Sequence, residues 1–411
     1  MTLRESNEVA NQVIYLDCHS TTPVDPEVMR VMLPCFGESF GNAGSHSHAY
    51  GLAAAELVAE ARREFGAELG VSADEIVFTS GSTESNNLAI FGAAKRWAGK
   101  RKQIVTIGIE HPSVLEPIRQ LEREGWRVTV VPVFAQGDHD PGRAAEVGVV
   151  DLAALNSVLS EDTALVSIAM ANHEVGVIQP IREIAELVHK AGAWLHTDAT
   201  QAVGWMPLDL QEWQADLVSF SAHKFYGPKG VGALFVRRET TYSGARPIRL
   251  FPRTFGGGQE FGWRSGTVNT PGVVGMAAAL RLANRRRLEK ANEVAELRET
   301  LWSSLRESIP EILLNGPDWQ IGGPRLPNNL NVAVPGIEGQ SVMLHAKGVA
   351  LSSGSACSSA TPGVSSVLTA LGIGEDRARS SLRIGLGRFH TKAEIQLAAA
   401  RLSEAVRRLR G

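Results

Sequence analysis

The chain has 411 residues, of which 44% are hydrophobic and 21% charged, and its formal net charge is −3. This length is typical of two or three domains, or of one large domain with a smaller one. The near-neutral charge excludes the broadly basic surface that binds nucleic acid or anionic membranes. The three cysteines, Cys18, Cys35 and Cys357, are too few for a disulfide framework and indicate a reducing compartment.

The sequence carries no recognisable targeting or membrane segment. Residues 1–12 are polar and of mixed charge, unlike a signal or transit peptide. No apolar run approaches the roughly 20 residues needed to cross a bilayer. The cysteines do not form a CxxC pair, so we expect no metal site. These features predict a cytoplasmic protein that binds neither membrane nor nucleic acid.

Short apolar runs alternate with helical patterns through about the first 240 residues. The predicted strands are residues 75–79, 103–107, 126–131, 164–169, 193–197, 216–220 and 232–236. This alternation predicts an α/β fold whose mostly parallel seven-stranded sheet has helices on both faces. The last two strands are too close together for a helical crossover, so we expect them to be antiparallel.

A second, smaller α+β domain is predicted at the C-terminal end. A long helical pattern follows Pro271, then strand candidates at 329–334 and 381–385, and a closing helix from about residue 391. The segment 136–147 is rich in Gly, Pro and charge and is typical of a surface loop. The predicted division is an N-terminal arm (1–16) that packs on the small domain, a large domain (17–268) and a small domain (269–411).

Three segments carry residues suited to one chemistry. Lys224 follows a predicted core strand, where a lysine is costly to bury unless it is paired or bonded to a carbonyl cofactor. Asp198 lies at the carboxyl end of another strand, where it can pair with the ring nitrogen of pyridoxal phosphate. The turn Ser80-Gly-Ser-Thr83 opens a helix whose N-terminus suits a phosphate. A surface lysine and two ordinary helix caps would explain each segment alone, but together they indicate this cofactor.

The chain resembles the cysteine desulfurases of the NifS and IscS type, which have the class-V aminotransferase fold. The resemblance extends from Tyr15 to Phe389. It rests on YLDCHSTTPVDP, FGNAGSHSH, EIVFTSGSTESNNLAI, HTDATQAVG, SFSAHKFYGPKGVGAL, GGGQE, RSGT, LSSGSACSSA and SLRIGLGRF. The resemblance implies a fold-type I homodimer that uses pyridoxal 5'-phosphate.

The resemblance also implies roles for individual residues. Lys224 would be the lysine that bonds the cofactor, Asp198 the partner of its ring nitrogen and Gln201 that of its ring oxygen. His111 would stack on the ring and relay a proton. The residues implied to hold the phosphate are Ser82, Thr83, Ser221, His223 and, from the neighbouring subunit, Thr267. Arg383, whose planar guanidinium matches a carboxylate, would bind the substrate with help from Asn42.

Cys357 is the implied nucleophile. It lies among Gly, Ser and Ala, which suits an exposed loop better than a core. The resemblance implies that it takes the sulfur of L-cysteine as a persulfide and leaves L-alanine. Its thiolate is the reactive form, and the sequence does not identify the group that takes its proton. Cys18 and Cys35 are interpreted as structural, although Cys18 lies in a motif that the family places near the site.

Three features depart from the family pattern. His173 stands where a second Asn near the cofactor's ring oxygen is usual; it still donates a hydrogen bond there, but it can titrate. Ala43 replaces a usual Pro. The segment 136–147 is longer than in compact members and is interpreted as a tolerated loop rather than a partner surface.

Three functions remain open from the sequence. The first is an active cysteine desulfurase that supplies iron–sulfur cluster assembly or thiolation through sulfur-acceptor proteins. The second is a selenocysteine lyase on the same fold, because FGGGQE and NTPG also occur in that relative's style of sequence. The third is a non-catalytic platform for sulfur-transfer partners. Lys224, Asp198, His111 and Cys357 are all present, which favours an active enzyme.

Overall fold

The computed structural model describes residues 13–137, 141–238, 247–353 and 364–411. The predicted nucleophile Cys357 lies outside these ranges. The strands are β1 Ile14–Tyr15, β2 Ile76–Thr79, β3 Gln103–Ile107, β4 Arg127–Val131, β5 Thr163–Ser167, β6 Trp194–Asp198, β7 Leu217–Ser221, β8 Gly232–Val236, β9 Leu313–Leu314, β10 Asn329–Ala333, β11 Val349–Ala350 and β12 Ser381–Gly385.

The helices alternate with these strands along the chain. They are α1 Pro26–Met32, α2 Pro34–Gly37, α3 Ala49–Glu68, α4 Ser82–Trp97, α5 Pro112–Arg123, α6 Leu152–Val158, α7 Ile181–Lys190, α8 Leu210–Trp213, α9 Thr270–Ser308, α10 Gly339–His345, α11 Ser366–Ala370, α12 Glu375–Arg379 and α13 Lys392–Arg410. Among the described residues, no helix combines the length and the hydropathy needed to cross a bilayer.

The large sheet has seven strands in the order β2-β8-β7-β6-β5-β3-β4. The strands from β7 to β4 are parallel, and β8 is antiparallel to both β7 and β2. The predicted α/β fold is confirmed, with strand ends within two residues of the predicted ones. The antiparallel pairing of β7 and β8 also agrees with the prediction, since a ten-residue connection between them is too short for a crossover helix.

Helices cover both faces of this sheet. Phe78 packs into the core shared with α3 and α9, while its neighbour Val77 packs into the core under α4 and α5. Successive strand side chains point to opposite faces, so strands buried on both sides must be apolar throughout. The edge strand β4 is exposed or half-exposed along most of its length, and only Val131 is buried.

The small C-terminal unit has its own core. Strands β12, β10 and β9 form an antiparallel sheet, and β1 pairs in parallel with β11. Ile14 and Leu16 are buried in this core. Helix α9 contributes residues to both cores, Met276 to the large one and Leu301 to the small one. The domain boundaries at 16 and 268 therefore stay a prediction.

The segment 136–147 is anchored where it is described. The Gln136 backbone N–H donates to the Leu371 carbonyl at 2.7 Å, and its side chain accepts from Gly316 N–H at 2.9 Å. Residues Pro141–Glu146 form a 3-10 turn. These contacts join the segment to elements near the C-terminal end of the chain.

Gly232 sets how closely β8 approaches the turn before α4. A Cβ at this position would lie 2.5 Å from the Phe220 carbonyl oxygen and 2.6 Å from Gly81 Cα. We expect Gly232→Ala to lower the free energy of unfolding by about 1–3 kcal/mol, because backbone atoms must move. Urea denaturation measures this. Gly37→Ala is the matched control, because nothing lies within 4 Å of its Cβ; equal effects of both substitutions would contradict the prediction.

Candidate active site

A cavity of about 490 Å³ opens at the carboxyl ends of β5, β6 and β7. In parallel sheets, ligands bind at this edge because helix N-termini and loops converge there. The lining residues are His19, Ser82, Ile109, His111, Ala169, Ala171, Asn172, His173, Asp198, Thr200, Gln201, Lys224 and Arg383.

The turn between β2 and α4 forms one end of the cavity. Gly81 has φ +151° and caps α4, and Ser82 in the first turn of that helix lines the cavity. Glu84 accepts the Ser80 N–H at 2.6 Å and pairs with Arg264 at 2.9 Å, which fixes the turn. The helix N-terminus suits an anion because of its N–H groups and positive dipole end.

Lys224 lies in the 3-10 turn that follows β7. Its Nζ donates to the carbonyl oxygens of His19 at 2.5 Å and Ser20 at 2.7 Å, which direct the amine toward the cavity. Burial lowers the pKa of the adjacent His223 to about 4, with Lys224 and Lys229 adding to the shift. His223 is therefore neutral near pH 7, and its Nδ1 lies 3.1 Å from Thr21 Oγ1.

Asp198 ends β6 with its carboxylate in the cavity. Its Oδ2 accepts from Asn86 Nδ2 at 2.8 Å, and its Oδ1 accepts from the Thr200 N–H at 2.9 Å. Two donors on the carboxylate fix its direction. An acid at this position is what a basic ring nitrogen requires as a partner.

His111 and His173 both line the cavity, and their rings are in edge-to-face contact, with centroids 5.0 Å apart and an interplanar angle of 78°. His111 caps α5, and its Nδ1 lies 2.8 Å from Ser113 Oγ and 3.1 Å from the Ser113 backbone nitrogen. Burial lowers the pKa of both histidines, and for His173 the charges of His111 and Arg383 lower it further. Both rings are therefore neutral near pH 7.

Gln201 is held by His19, a residue that the sequence reasoning did not select. His19 Nδ1 lies 3.0 Å from Gln201 Oε1, and Gln201 Nε2 donates to the His19 carbonyl at 3.1 Å. Among the residues that the structure describes, no group accepts the second amide hydrogen of Gln201, which lines the cavity. Burial lowers the pKa of His19 to about 3, so it is neutral. Its place in the YLDCHSTT motif was the only sequence signal for this role.

Arg383 is fully buried on β12 and lines the cavity. Its Nη2 donates to Asp17 Oδ1 at 3.1 Å, Ser20 Oγ at 2.6 Å and Ser352 Oγ at 2.9 Å. Nη1 donates to the His173 carbonyl at 3.3 Å. A guanidinium oriented by so many groups is well placed to bind a carboxylate, which would compete with Asp17 for Nη2.

Some predicted site residues lie elsewhere. Ser221 is buried near Gly81, whose Cβ would lie 3.6 Å from Ser221 Oγ, whereas Thr83 is exposed on the first turn of α4. Asn42 is exposed, and its Oδ1 accepts the Gly44 N–H at 2.9 Å. Thr267 is also exposed. None of these four belongs to the lining of the cavity in this single chain.

The two cysteines that the structure describes are buried. Burial raises the pKa of Cys18 to about 12, with Asp17 adding to the shift, and burial also raises the pKa of Cys35. Both are therefore thiols near pH 7 and poor nucleophiles. This agrees with their interpretation as structural residues, and the assignment of Cys357 stays a prediction.

The cavity matches the donor set that pyridoxal 5'-phosphate requires. Ser82 and the α4 N-terminus would hold the phosphate, Asp198 the ring nitrogen and Gln201 the ring oxygen. The Lys224 amine would bond the aldehyde carbon. When bound, the cofactor's ring withdraws electrons from an attached amino acid.

Comparison with known proteins agrees with this interpretation. The sequence profile of class-V aminotransferases matches residues 14–397. "Cysteine desulfurase IscS" of Anaeromyxobacter sp. (strain Fw109-5) is 47% identical over 397 residues, covering 97% of this chain and 93% of that protein. "Cysteine desulfurase" of Mus musculus is 42% identical over 98% of this chain and 83% of that protein. A solved "NifS-like protein" has a TM-score of 0.84 at 35% identity, covering 96% of this chain and all of that one.

The chain belongs to the class-V aminotransferase family. Within that family its relatives are the cysteine desulfurases of the IscS and NifS type. The family, the fold and the cofactor predicted from the sequence are confirmed: the protein is an enzyme that depends on pyridoxal 5'-phosphate.

Glu110, immediately before His111, is a buried acid that the sequence reasoning missed. Its Oε1 accepts the Ala169 N–H at 2.7 Å, and its Oε2 has no hydrogen-bond partner among the described residues. Burial raises the pKa of Glu110 to about 8 despite the Ala169 bond, and Asp198 raises it further. Glu110 is therefore mostly protonated near pH 7 in the folded protein and ionised in the unfolded chain.

This difference makes stability depend on pH. Between the ordinary pKa of 4.5 and about 8, the folded state binds the extra proton, so stability falls as pH rises. As pH rises through this window, we expect the free energy of unfolding of Glu110→Gln to increase relative to that of the wild type, by up to about 1.4 kcal/mol per pH unit. Urea denaturation at about pH 5.5 and about pH 7.5, both inside this window, measures the change. Glu122→Gln, on the exposed face of α5, is the control; parallel pH curves for wild type and Glu110→Gln would contradict the prediction.

Proposed function

We propose that this protein removes sulfur from L-cysteine, releases L-alanine and keeps the sulfur as a persulfide on Cys357. The observation that carries the proposal is the meeting of Lys224, Asp198 and Arg383 in one cavity. An amine, an acid and a carboxylate-binding guanidinium are the groups that a cofactor-dependent reaction of an amino acid needs. The family supplies the choice of sulfur chemistry.

Arg383 orients the substrate. Its guanidinium would take the carboxylate of L-cysteine, using Nη2 now bonded to Asp17. Nη1, which donates to the His173 carbonyl, keeps the guanidinium in place during this exchange. Because a bidentate pair is directional, the substrate's amino and thiol groups would then have one orientation relative to Lys224.

Lys224 and Asp198 would control protonation at the substrate's α-carbon and at the cofactor's ring nitrogen. The Lys224 amine would accept and return the proton of the substrate's α-carbon, since it lies at the cavity wall. Asp198, fixed by Asn86 and Thr200, would keep the ring nitrogen protonated. Gln201 would donate its remaining N–H to the ring oxygen.

The sulfur step is balanced without another reagent. The Cys357 thiolate would attack the substrate sulfur, and the carbon–sulfur bond would break with its electron pair left on the carbon. That carbon takes up one proton, which balances the proton lost by Cys357, and becomes the methyl group of alanine. The new sulfur–sulfur bond holds the sulfur as a persulfide. The buried thiols Cys18 and Cys35 are poor competitors for this step because their pKa values are raised.

The destination of the sulfur belongs to the same proposal. We propose that acceptor proteins take it for iron–sulfur cluster assembly or thiolation, supported by the similarity to IscS-named relatives. We propose a homodimer in which Thr267, exposed in the single chain, reaches the phosphate of the neighbouring subunit. A cytoplasmic location is supported by the low cysteine count.

Product analysis tests the function. The purified protein, loaded with pyridoxal 5'-phosphate, is given L-cysteine or L-selenocysteine, and L-alanine is measured with and without a thiol reductant. A desulfurase forms alanine from L-cysteine in proportion to the sulfur released. Alanine from selenocysteine alone would instead indicate a selenocysteine lyase. No alanine from either, with no visible cofactor absorbance, would indicate a non-catalytic platform.

A further inference from the structure

Asn86 and Ser113 join Asp198 to His111 through a continuous chain of buried hydrogen bonds. Asn86 Nδ2 lies 2.8 Å from Asp198 Oδ2 and 2.9 Å from Ser113 Oγ. Ser113 Oγ lies 2.8 Å from His111 Nδ1. Asn86 is fully buried and Ser113 is 8% exposed, so water does not replace these partners. Neither residue lines the cavity, yet both bind residues that do.

The carboxylate of Asp198 determines the direction of the Asn86 amide. If the amide were reversed, its carbonyl oxygen would face a carboxylate oxygen at 2.8 Å, and two acceptors cannot share a hydrogen bond. The nitrogen therefore faces Asp198. Its second hydrogen points to Ser113 Oγ, so both hydrogens of the amide are used.

Ser113 passes this direction on to His111. Its backbone N–H donates to His111 Nδ1 at 3.1 Å, so this nitrogen is an acceptor. The Ser113 hydroxyl, 2.8 Å from the same nitrogen, therefore points its hydrogen to Nδ1 while its oxygen accepts from Asn86. A ring nitrogen that accepts from two donors carries no proton, and the neutral imidazole then has its proton on Nε2.

We propose that Asn86 and Ser113 are positioning residues that hold His111 as the Nε2–H tautomer, so that it presents a hydrogen-bond donor to the cavity. In this state Nε2 cannot act as a base. It can instead donate to an anionic atom of the bound substrate, such as the thiolate or carboxylate. The catalytic consequence rests on the proposed function, whereas the tautomer does not. Burial of the ring, which opposes a positive charge, agrees with a neutral His111.

Nitrogen NMR of the imidazole tests the proposal. The full-length holoenzyme is labelled with [¹⁵N]histidine, and the His111 signals are assigned from their loss in His111→Gln. We expect an unprotonated, pyridine-type Nδ1 and a protonated, pyrrole-type Nε2. Ser113→Ala should move both signals toward a mixture of the tautomers, and Ser113→Thr, which keeps the hydroxyl, should restore them.

Asn87→Ala is the matched control. The amide of this neighbouring asparagine donates to the Thr83 carbonyl and is not part of the chain from Asp198 to His111. Its His111 signals should equal those of the wild type. A wild-type spectrum with the proton on Nδ1 would overturn the proposal. So would unchanged His111 signals in Ser113→Ala. The wild-type spectrum alone shows which nitrogen of His111 carries the proton, so the proposal is tested even if a variant fails to fold.

Kinetics separate positioning from a general loosening of the site. Ser113→Ala should lower kcat about five- to tenfold, the worth of one hydrogen bond, with KM for L-cysteine within about twofold of the wild type. An increase in KM with an unchanged kcat would contradict the proposed role. A wild-type enzyme that forms no alanine would contradict the proposed function while leaving the tautomer assignment in place.

Discussion

Lys224→Ala is expected to lower alanine formation from L-cysteine by at least about a thousandfold, a loss typical of removing a central catalytic group. The amine that bonds the cofactor and moves the substrate's proton would be gone. The His19 and Ser20 carbonyls that hold Nζ would lose their donor. Absorbance spectra of the purified protein should show that the cofactor, if retained, is no longer bonded to the chain.

Lys229→Ala is the matched control for this substitution. Lys229 lies in the same SAHKFYGPKG segment but is exposed. It should leave the spectrum and the rate of alanine formation close to those of the wild type. Alanine formation by Lys224→Ala at the wild-type rate would show that Lys224 is not the lysine that bonds the cofactor.

Cys357→Ala is expected to lower both alanine formation and sulfur transfer by at least about a hundredfold, because no other thiol can take the substrate sulfur. Cys18 cannot replace it, since burial raises the pKa of Cys18 to about 12. The loss of alanine formation is measured as alanine, and the loss of sulfur transfer is measured separately as sulfide. The cofactor spectrum should stay unchanged, which distinguishes this variant from Lys224→Ala.

Cys35→Ala provides the control for loss of a thiol. Cys35 is buried in α2, its Sγ lies 4.0 Å from the Val31 carbonyl oxygen, and it is not one of the residues that line the cavity. Its rate of alanine formation should match that of the wild type. Rapid desulfuration by Cys357→Ala would mean that another group removes the sulfur.

The sequence was most informative where a residue's role follows from its place at a strand end. Asp198 ends β6, Lys224 follows β7 and Ser82 begins the helix after β2, so the sheet brings all three to one edge. Because β2, β6 and β7 run in the same direction, their carboxyl ends lie at the same edge. Arg383 required the family resemblance, because β12 belongs to a separate sheet whose position relative to the cavity no local pattern predicts.

The supporting residues could not be predicted in this way. Asn86 lies 112 positions from Asp198 and 27 from Ser113, and its residue type is common on any helix. His19 was one polar residue of a motif, and its contact with Gln201 spans 182 positions. Such roles depend on distances between elements that meet only in the folded chain. Asn42 and Thr267 are the opposite case: the family resemblance implies a site role for each, but both are exposed in the single chain.

The central claim is that Cys357 carries the sulfur. The most direct measurement is mass spectrometry of the wild-type holoenzyme after a single turnover with L-cysteine, without reductant. We predict that the peptide containing Cys357 gains one sulfur atom, which a reductant removes, while the peptides containing Cys18 and Cys35 stay unmodified. Alanine formation with the added sulfur on Cys18 or Cys35, or on no cysteine, would contradict this account.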